Sequence, residues 1–290
     1  MNQTDYTAPA LDSVLHPSDF APESLTAFHH ALKAALVAKA KFTVLHVAPD
    51  MKPDWTEFPG VRETLERWGL LPPGSPRSAV PQLGIDVRKA VARDTNAAKS
   101  VVHYLETHPA DLIVLATHTH AGRASWLRQS VAEPIARRSG QMTLFIPQGV
   151  RGFVSAESGA VSLEQILIPV AAKPLAQSAV TATARLALRL QLPRGTFTLL
   201  HIGDAAAMPA VSCPEVPGWQ WRKASRTGDV IHGIVDTAGK ASSGLIVMAT
   251  DGRDGFLDVF RGSHSERVLR GAPCPVLTVP AGSLAEGALQ

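Results

Sequence analysis

The residues best suited to chemistry in this 290-residue chain lie in one glycine-bearing turn of the C-terminal half. An apolar run ending at Met248 passes into Ala249-Thr250-Asp251-Gly252-Arg253-Asp254-Gly255. After six intervening residues, Gly262-Ser263 opens a helix-like stretch that continues through His264 and Ser265 to Leu269. Glycine admits positive φ and lets backbone N–H groups approach an anion closely. A helix N-terminus headed by serine adds donors and a favourable dipole. The pattern suits a phosphate cradle, although Asp251, Asp254 and Asp258 would repel a polyanion unless Mg²⁺ stood between them. A ligand-free strand-to-helix turn and a seat for another small anion or metabolite explain the same residues, so three readings stay open.

A second stretch has the same layout with different residues: Ala116-Thr117-His118-Thr119, nine residues, then Gln129-Ser130. Thr119 is β-branched and disfavoured at positive φ, and the Gln129 side chain would crowd a phosphate. His118 and His120 straddle Thr119, but no carboxylate or cysteine at ligand spacing completes a zinc site, and no metal is expected. Cys213 and Cys274 form neither a metal pair nor a redox pair at short spacing. His46 and His201 recur in matched apolar segments and read as packed sheet residues. Trp126 and Trp221 read as core or interface residues before base-stacking platforms. Neither a nucleophile elbow nor the Walker Lys-Ser/Thr pattern occurs. No catalytic residue is assigned, and binding or very slow hydrolysis is expected rather than a fast ATPase.

The elements that must position these residues are written twice. Phe42 to Val47 returns as Phe197 to Ile202 at an offset of 155, and Leu112 to Thr117 returns as Leu245 to Thr250 at an offset of 133. The second offset continues through Ser130/Ser263, Glu133/Glu266, Arg137/Arg270 and Pro147/Pro280. Leu15-His16-Pro17 parallels Ile168-Pro169 near the start of each half. The fall in offset means that about 22 extra residues sit in the first copy, within 48–111 and best placed at Trp55 to Pro81, where Val61 to Trp68 reads as a short amphipathic helix. Such an insertion is expected at the surface, as a lid, a partner contact or a tolerated loop. Short apolar runs alternating with helix-period stretches predict an α/β fold: two tandem doubly wound domains with parallel five-stranded sheets, covered on both faces. The expected organisation is 1–150 with the insertion at about 50–82, a linker at 151–162, and a second domain at 163–290. In such sheets ligands bind beyond the carboxyl ends of the strands, where strand order reverses.

Gly252, nine residues, Gly262 and Ser263, the closing Ala272-Pro273-Cys274-Pro275-Val276-Leu277-Thr278-Val279 and the opening Pro17-Ser18-Asp19-Phe20 carry a resemblance. The chain resembles the universal stress protein family in its tandem two-domain form. That resemblance implies a role in survival under stress, exerted through nucleotide-dependent or protein contacts. It implies an adenine nucleotide, ATP with Mg²⁺, held in the second half by Pro169, Val170, Ala171, Met248, Ala249, Gly252, Arg253, Gly262, Ser263, His264 and Ser265. The first-half counterpart, Asp19, Ala116, Thr119, Gln129 and Ser130, is degenerate. The family's Asp after the first strand is kept as Asp19 but replaced by Ala171, and Ala249 stands where the first glycine belongs. Asp19 also suits a plain cap for the helix that starts near Pro22. The resemblance further implies that the fifth strands, Thr143 to Ile146 and Val276 to Val279, meet across an internal pseudo-twofold, making an intramolecular dimer; further pairing into a homodimer stays open. The rival readings are an adaptor with degenerate sites that works through protein partners, and a slow nucleotide hydrolase.

Composition trims these alternatives. Lys and Arg number 28 against 25 Asp and Glu, split 15 to 14 up to residue 150 and 13 to 11 after it. Neither half carries the concentrated positive field of a nucleic-acid clamp. With 45% hydrophobic and 18% charged residues, the chain has material for a real core. It shows no run of eighteen apolar residues and no signal-peptide pattern, so a cytoplasmic protein without membrane contact is the expectation.

Overall fold

The computed structural model describes residues 11–48, 55–94, 96–117, 134–136, 138–250 and 264–281. Among these, ten strands form one sheet. The first half supplies β1 (Ser13–Pro17), β2 (Lys41–Val47), β3 (Asp86–Ala92), β4 (Leu112–Thr117) and β5 (Met142–Pro147). The second supplies β6 (Gln165–Pro169), β7 (Gly195–Ile202), β8 (Trp219–Arg226), β9 (Leu245–Thr250) and β10 (Val276–Pro280). Their order is β3-β2-β1-β4-β5-β10-β9-β6-β7-β8. Every pairing is parallel except β5 with β10.

The antiparallel seam is centred on Leu144 opposite Leu277, with Thr143 opposite Thr278 and Phe145 opposite Val276. Leu144 and Leu277 are equivalents at the offset of 133, and the flanking pairs exchange equivalents. A pseudo-twofold axis therefore passes between the two leucines, as the family resemblance implies.

Strand alternation divides the core into two layers. Val14, Val44, Val114, Ile166 and Val247 join one buried cluster with Phe28, Leu32 and Ala35 of α1 (Leu25–Ala38) and Ala179, Val180 and Ala187 of α4 (Gln177–Arg189). Their neighbours Leu15, Leu45, Leu115, Leu167 and Ile246 join the other. That cluster includes Val101 of α3 (Ala97–Thr107), Ile234 of α5 (Val230–Lys240) and Val268 of α6 (His264–Gly271). On that face α3 and α5 are capped in the same way: Asn96 accepts from the Lys99 N–H and Asp229 from the His232 N–H, each at 2.9 Å. These caps are equivalents at the offset of 133.

The connection from β2 to β3 spans residues 48–85 and that from β7 to β8 spans 203–218, so the first is longer by the 22-residue surplus. It carries α2 (Val61–Arg67). This segment is not the loose surface addition expected from sequence. Phe58, Val61, Leu65, Trp68, Leu71 and Val80 are buried in the same cluster as α1, while Trp55 stays half exposed. The Trp68 indole N–H and the Arg67 Nε–H both donate to the Ala156 carbonyl, at 3.0 and 2.9 Å. A Cβ on Gly159 would meet the Trp68 ring at 2.5 Å, so only glycine lets that stretch lie against the indole. The insertion thus joins α1 to the stretch between β5 and β6. His30 completes the junction: its Nδ1–H donates to the Thr26 carbonyl at 2.7 Å, and its Nε2 accepts the Phe153 N–H at 3.0 Å.

Candidate functional site

In each half the strand order reverses between the first and fourth strands, β1/β4 and β6/β9. The carboxyl ends of these strands and of the neighbouring second strands, β2 and β7, frame two equivalent crevices. A matched histidine braces each one. His46 at the end of β2 donates from Nδ1 to the Ser18 carbonyl at 2.9 Å, and His201 at the end of β7 donates to the Val170 carbonyl at 3.0 Å. Each ties its second strand to the loop that leaves the first. This agrees with their reading as sheet residues, but it also places both imidazoles at the crevice edge.

The surroundings of the two imidazoles differ. In the first half Phe20, at φ 62°, lays its ring on His46 with centroids 3.9 Å apart and planes 13° from parallel. Phe58 packs on Phe20 at 4.7 Å, Trp55 stacks on Phe58 at 5.3 Å, and the Lys89 ammonium lies 5.3 Å from the Phe58 centroid. Phe58 and Trp55 come from the insertion, so the added segment fills this crevice with rings. Asp19 is drawn into the helix start: its Oδ1 accepts the Ala21 N–H at 3.1 Å and the Ser24 hydroxyl at 2.6 Å.

In the second half the equivalents of Asp19 and Phe20 are Ala171 and Ala172, both exposed. Among the described residues no aromatic ring lies on His201. A Cβ on Gly203 would come within 2.8 Å of its Nε2, so glycine keeps the imidazole edge clear. Pro169 and Val170 line the inner wall, with Val170 buried and its N–H given to the Leu200 carbonyl at 2.8 Å. Met248 and Ala249 are half-buried at the end of β9. Ala116 holds the matching position on β4 and is buried. Thr117 and Thr250, one step further, are equivalents, and each buries a hydroxyl that has no hydrogen-bond partner. Both immediately precede, in sequence, the segments that carry the candidate phosphate residues. His118, Thr119, His120, Trp126, Gln129, Ser130, Gly252, Arg253, Gly262 and Ser263 lie outside the described residues. His264 and Ser265 begin α6.

Several other candidates settle into packing. Trp221 lies against Phe197 at 4.4 Å and donates from its indole to the Pro214 carbonyl at 2.8 Å. Cys274 is a buried free thiol whose pKa burial pushes up to about 12, and Cys213 is free and exposed. His16, which the sequence did not mark, is wholly buried at the end of β1. Its Nδ1–H donates to the Val114 carbonyl at 3.0 Å, while Nε2 has no partner. Burial lowers its pKa to about 4, opposed by the Val114 hydrogen bond. The second copy places Ile168 there, and that contrast between copies was the available signal.

Two doubly wound halves joined through their fifth strands, with a carboxyl-end crevice in each, define a tandem α/β protein. The model of the Universal stress protein family matches residues 11–147 and 215–280, and the chain belongs to that family. A universal stress protein of Methanocaldococcus jannaschii is 48% identical over 46 residues, a stretch covering 16% of this chain and 27% of that protein. Among solved structures, a universal stress protein from Archaeoglobus fulgidus matches 92% of this chain and 96% of its own at 16% identity, with a TM-score of 0.56. A universal stress protein from Pseudomonas aeruginosa matches 93% and 94% at 14% identity, with a TM-score of 0.57. These two likenesses concern the fold. Among the described residues no helix is long and apolar enough to cross a membrane.

Proposed function

We infer that this universal stress protein binds one adenine nucleotide, ATP with Mg²⁺, in the crevice of its second half, and acts as a stress-response ligand sensor rather than by turnover. The observation that carries this reading is the contrast over the two matched histidines. Phe20 covers His46, whereas among the described residues no ring covers the equivalent face of His201, where Ala172 replaces Phe20. The ring on His46 shows that a planar group fits this position at stacking distance. In the second half a purine would take it, worth roughly 0.5–1.5 kcal/mol beyond its buried area if it behaves as an aromatic pair. The phosphates would then run toward Gly252, Gly262 and Ser263, which follow β9 in sequence. Backbone N–H groups and Mg²⁺ would hold them, because the near-neutral charge of this half offers no basic surface.

A thermal shift with ATP and Mg²⁺ tests the reading. Ligand at 100 times its Kd should stabilise the folded chain by about 2.7 kcal/mol. Gly262→Gln should remove the shift. No shift in the wild type, or an equal shift after Gly262→Gln, would overturn the nucleotide reading and favour an adaptor with degenerate sites, for which the ring-filled first crevice already speaks.

A further inference from the structure

An apolar groove of about 220 Å³ lies on the pseudo-twofold, over Leu144 and Leu277, on the sheet face that carries α1 and α4. Its lining repeats across the axis. Lys33, Ala34 and Ala38 at one side are matched by Arg185, Leu186 and Leu190 at the other, each pair 152 positions apart. The same offset relates Pro17 to Pro169, so these are equivalent positions brought together by the fusion. The groove is made by neither half alone and is distinct from the crevices at the strand ends.

Among the described residues its lining holds Lys33, Arg185 and Arg189 against one carboxylate. Lys33 is half-buried, burial alone lowers its pKa, and among the described residues it has no ion-pair partner. Arg185 lies at the equivalent position, and Arg189 adds a third cation. The carboxylate in the lining, Asp111, is already engaged: its Oδ2 accepts the Asp12 and Ser13 N–H groups at 2.9 Å each and the Ser13 hydroxyl at 2.8 Å. A half-buried ammonium facing apolar walls without a counter-ion is complemented by an anion that brings its own apolar body. At about 220 Å³ the groove is smaller than the roughly 300–1,000 Å³ of sites for drug-sized ligands, and suits a slender chain rather than a nucleotide.

We propose that this groove binds one medium-chain fatty carboxylate per chain, its carboxylate between Lys33 and Arg185 and its tail over Leu144 and Leu277. The proposal does not depend on the nucleotide reading.

Calorimetric titration of the full chain with decanoate tests it, beside acetate, which has the head without the tail, and decyltrimethylammonium, which has the tail with the opposite charge. Decanoate should bind at one per chain and the other two should not. Lys33→Gln should weaken decanoate binding about tenfold, the worth of one charge-assisted hydrogen bond. Ala34→Trp should fill the groove and abolish binding. Both variants should keep the wild-type response to ATP or, failing any such response, the wild-type circular dichroism. Absence of decanoate binding, equal binding of the ammonium surfactant, or unchanged affinity in Lys33→Gln would overturn the proposal. So would binding to anionic vesicles alone, binding only after removal of residues 1–10, or a solution dimer that Ala34→Trp dissociates. Those results would assign the groove to a membrane, to the chain's own start, or to a second copy.

Discussion

His16→Ile should make the protein more resistant to acid, and the size of the effect follows from burial. In the unfolded chain the imidazole takes a proton near pH 6.5. In the folded chain burial holds its pKa near 4, because Nε2 reaches neither water nor a partner. Between these values the unfolded state binds more protons, so stability falls as pH falls through the window and the loss is complete below pH 4. The gap from 6.5 to about 4 corresponds to about 3 kcal/mol, of which about 2.5 has gone by pH 4.5. Isoleucine occupies the equivalent position, Ile168, fully buried in the second copy, so the replacement has a precedent within the chain. At pH 7.5 the variant loses the hydrogen bond to the Val114 carbonyl but also removes an unpartnered ring nitrogen, and its stability should stay within about 1 kcal/mol of wild type. Urea unfolding at pH 7.5 and 4.5 gives the comparison. His29 and His30, also held near 4 chiefly by burial, titrate in both proteins and drop out of the difference. The variant should be about 2.5 kcal/mol less acid-sensitive. Parallel losses in the two proteins would refute the reasoning.

Asp19→Ala should cost about 1 kcal/mol in thermal unfolding, as loss of a helix-start acceptor does, and leave any nucleotide response unchanged. Loss of that response would move the site to the first half. Trp68→Ala should cost about 3–5 kcal/mol, the usual toll of removing a buried tryptophan, and should speed proteolysis within 151–162, since the indole holds Ala156 and lies against Gly159. A loss below about 1 kcal/mol with unchanged cleavage would show that the insertion is not part of the core.

The duplication was legible because central parallel strands are apolar on both faces and keep that pattern through divergence. Leu112–Thr117 and Leu245–Thr250 are nearly the same word, and their offset also relates Leu144 to Leu277, which the structure sets opposite each other at the seam. β8 is not legible as a strand in the sequence. It is an edge strand with only Trp219 buried, and Trp219 and Trp221 give too short an alternation before Arg222 and Lys223. The surplus of residues in the insertion is legible in the sequence, but its burial is not, because nothing local says that Trp68 and Leu65 pack beside α1. The difference between the crevices was half legible. Asp19 against Ala171 stood in the sequence, whereas the ring on His46 depends on a left-handed Phe20 and on Phe58 arriving from a distant segment.

Calorimetric titration with ATP and Mg²⁺, run on the wild type and on Ala172→Phe, bears most directly on the claim that the second crevice alone takes nucleotide. Phenylalanine at 172 would put a ring at the position equivalent to Phe20. One ATP per wild-type chain and none in the variant is the expected result; no binding, two sites per chain, or undiminished binding in Ala172→Phe would contradict it.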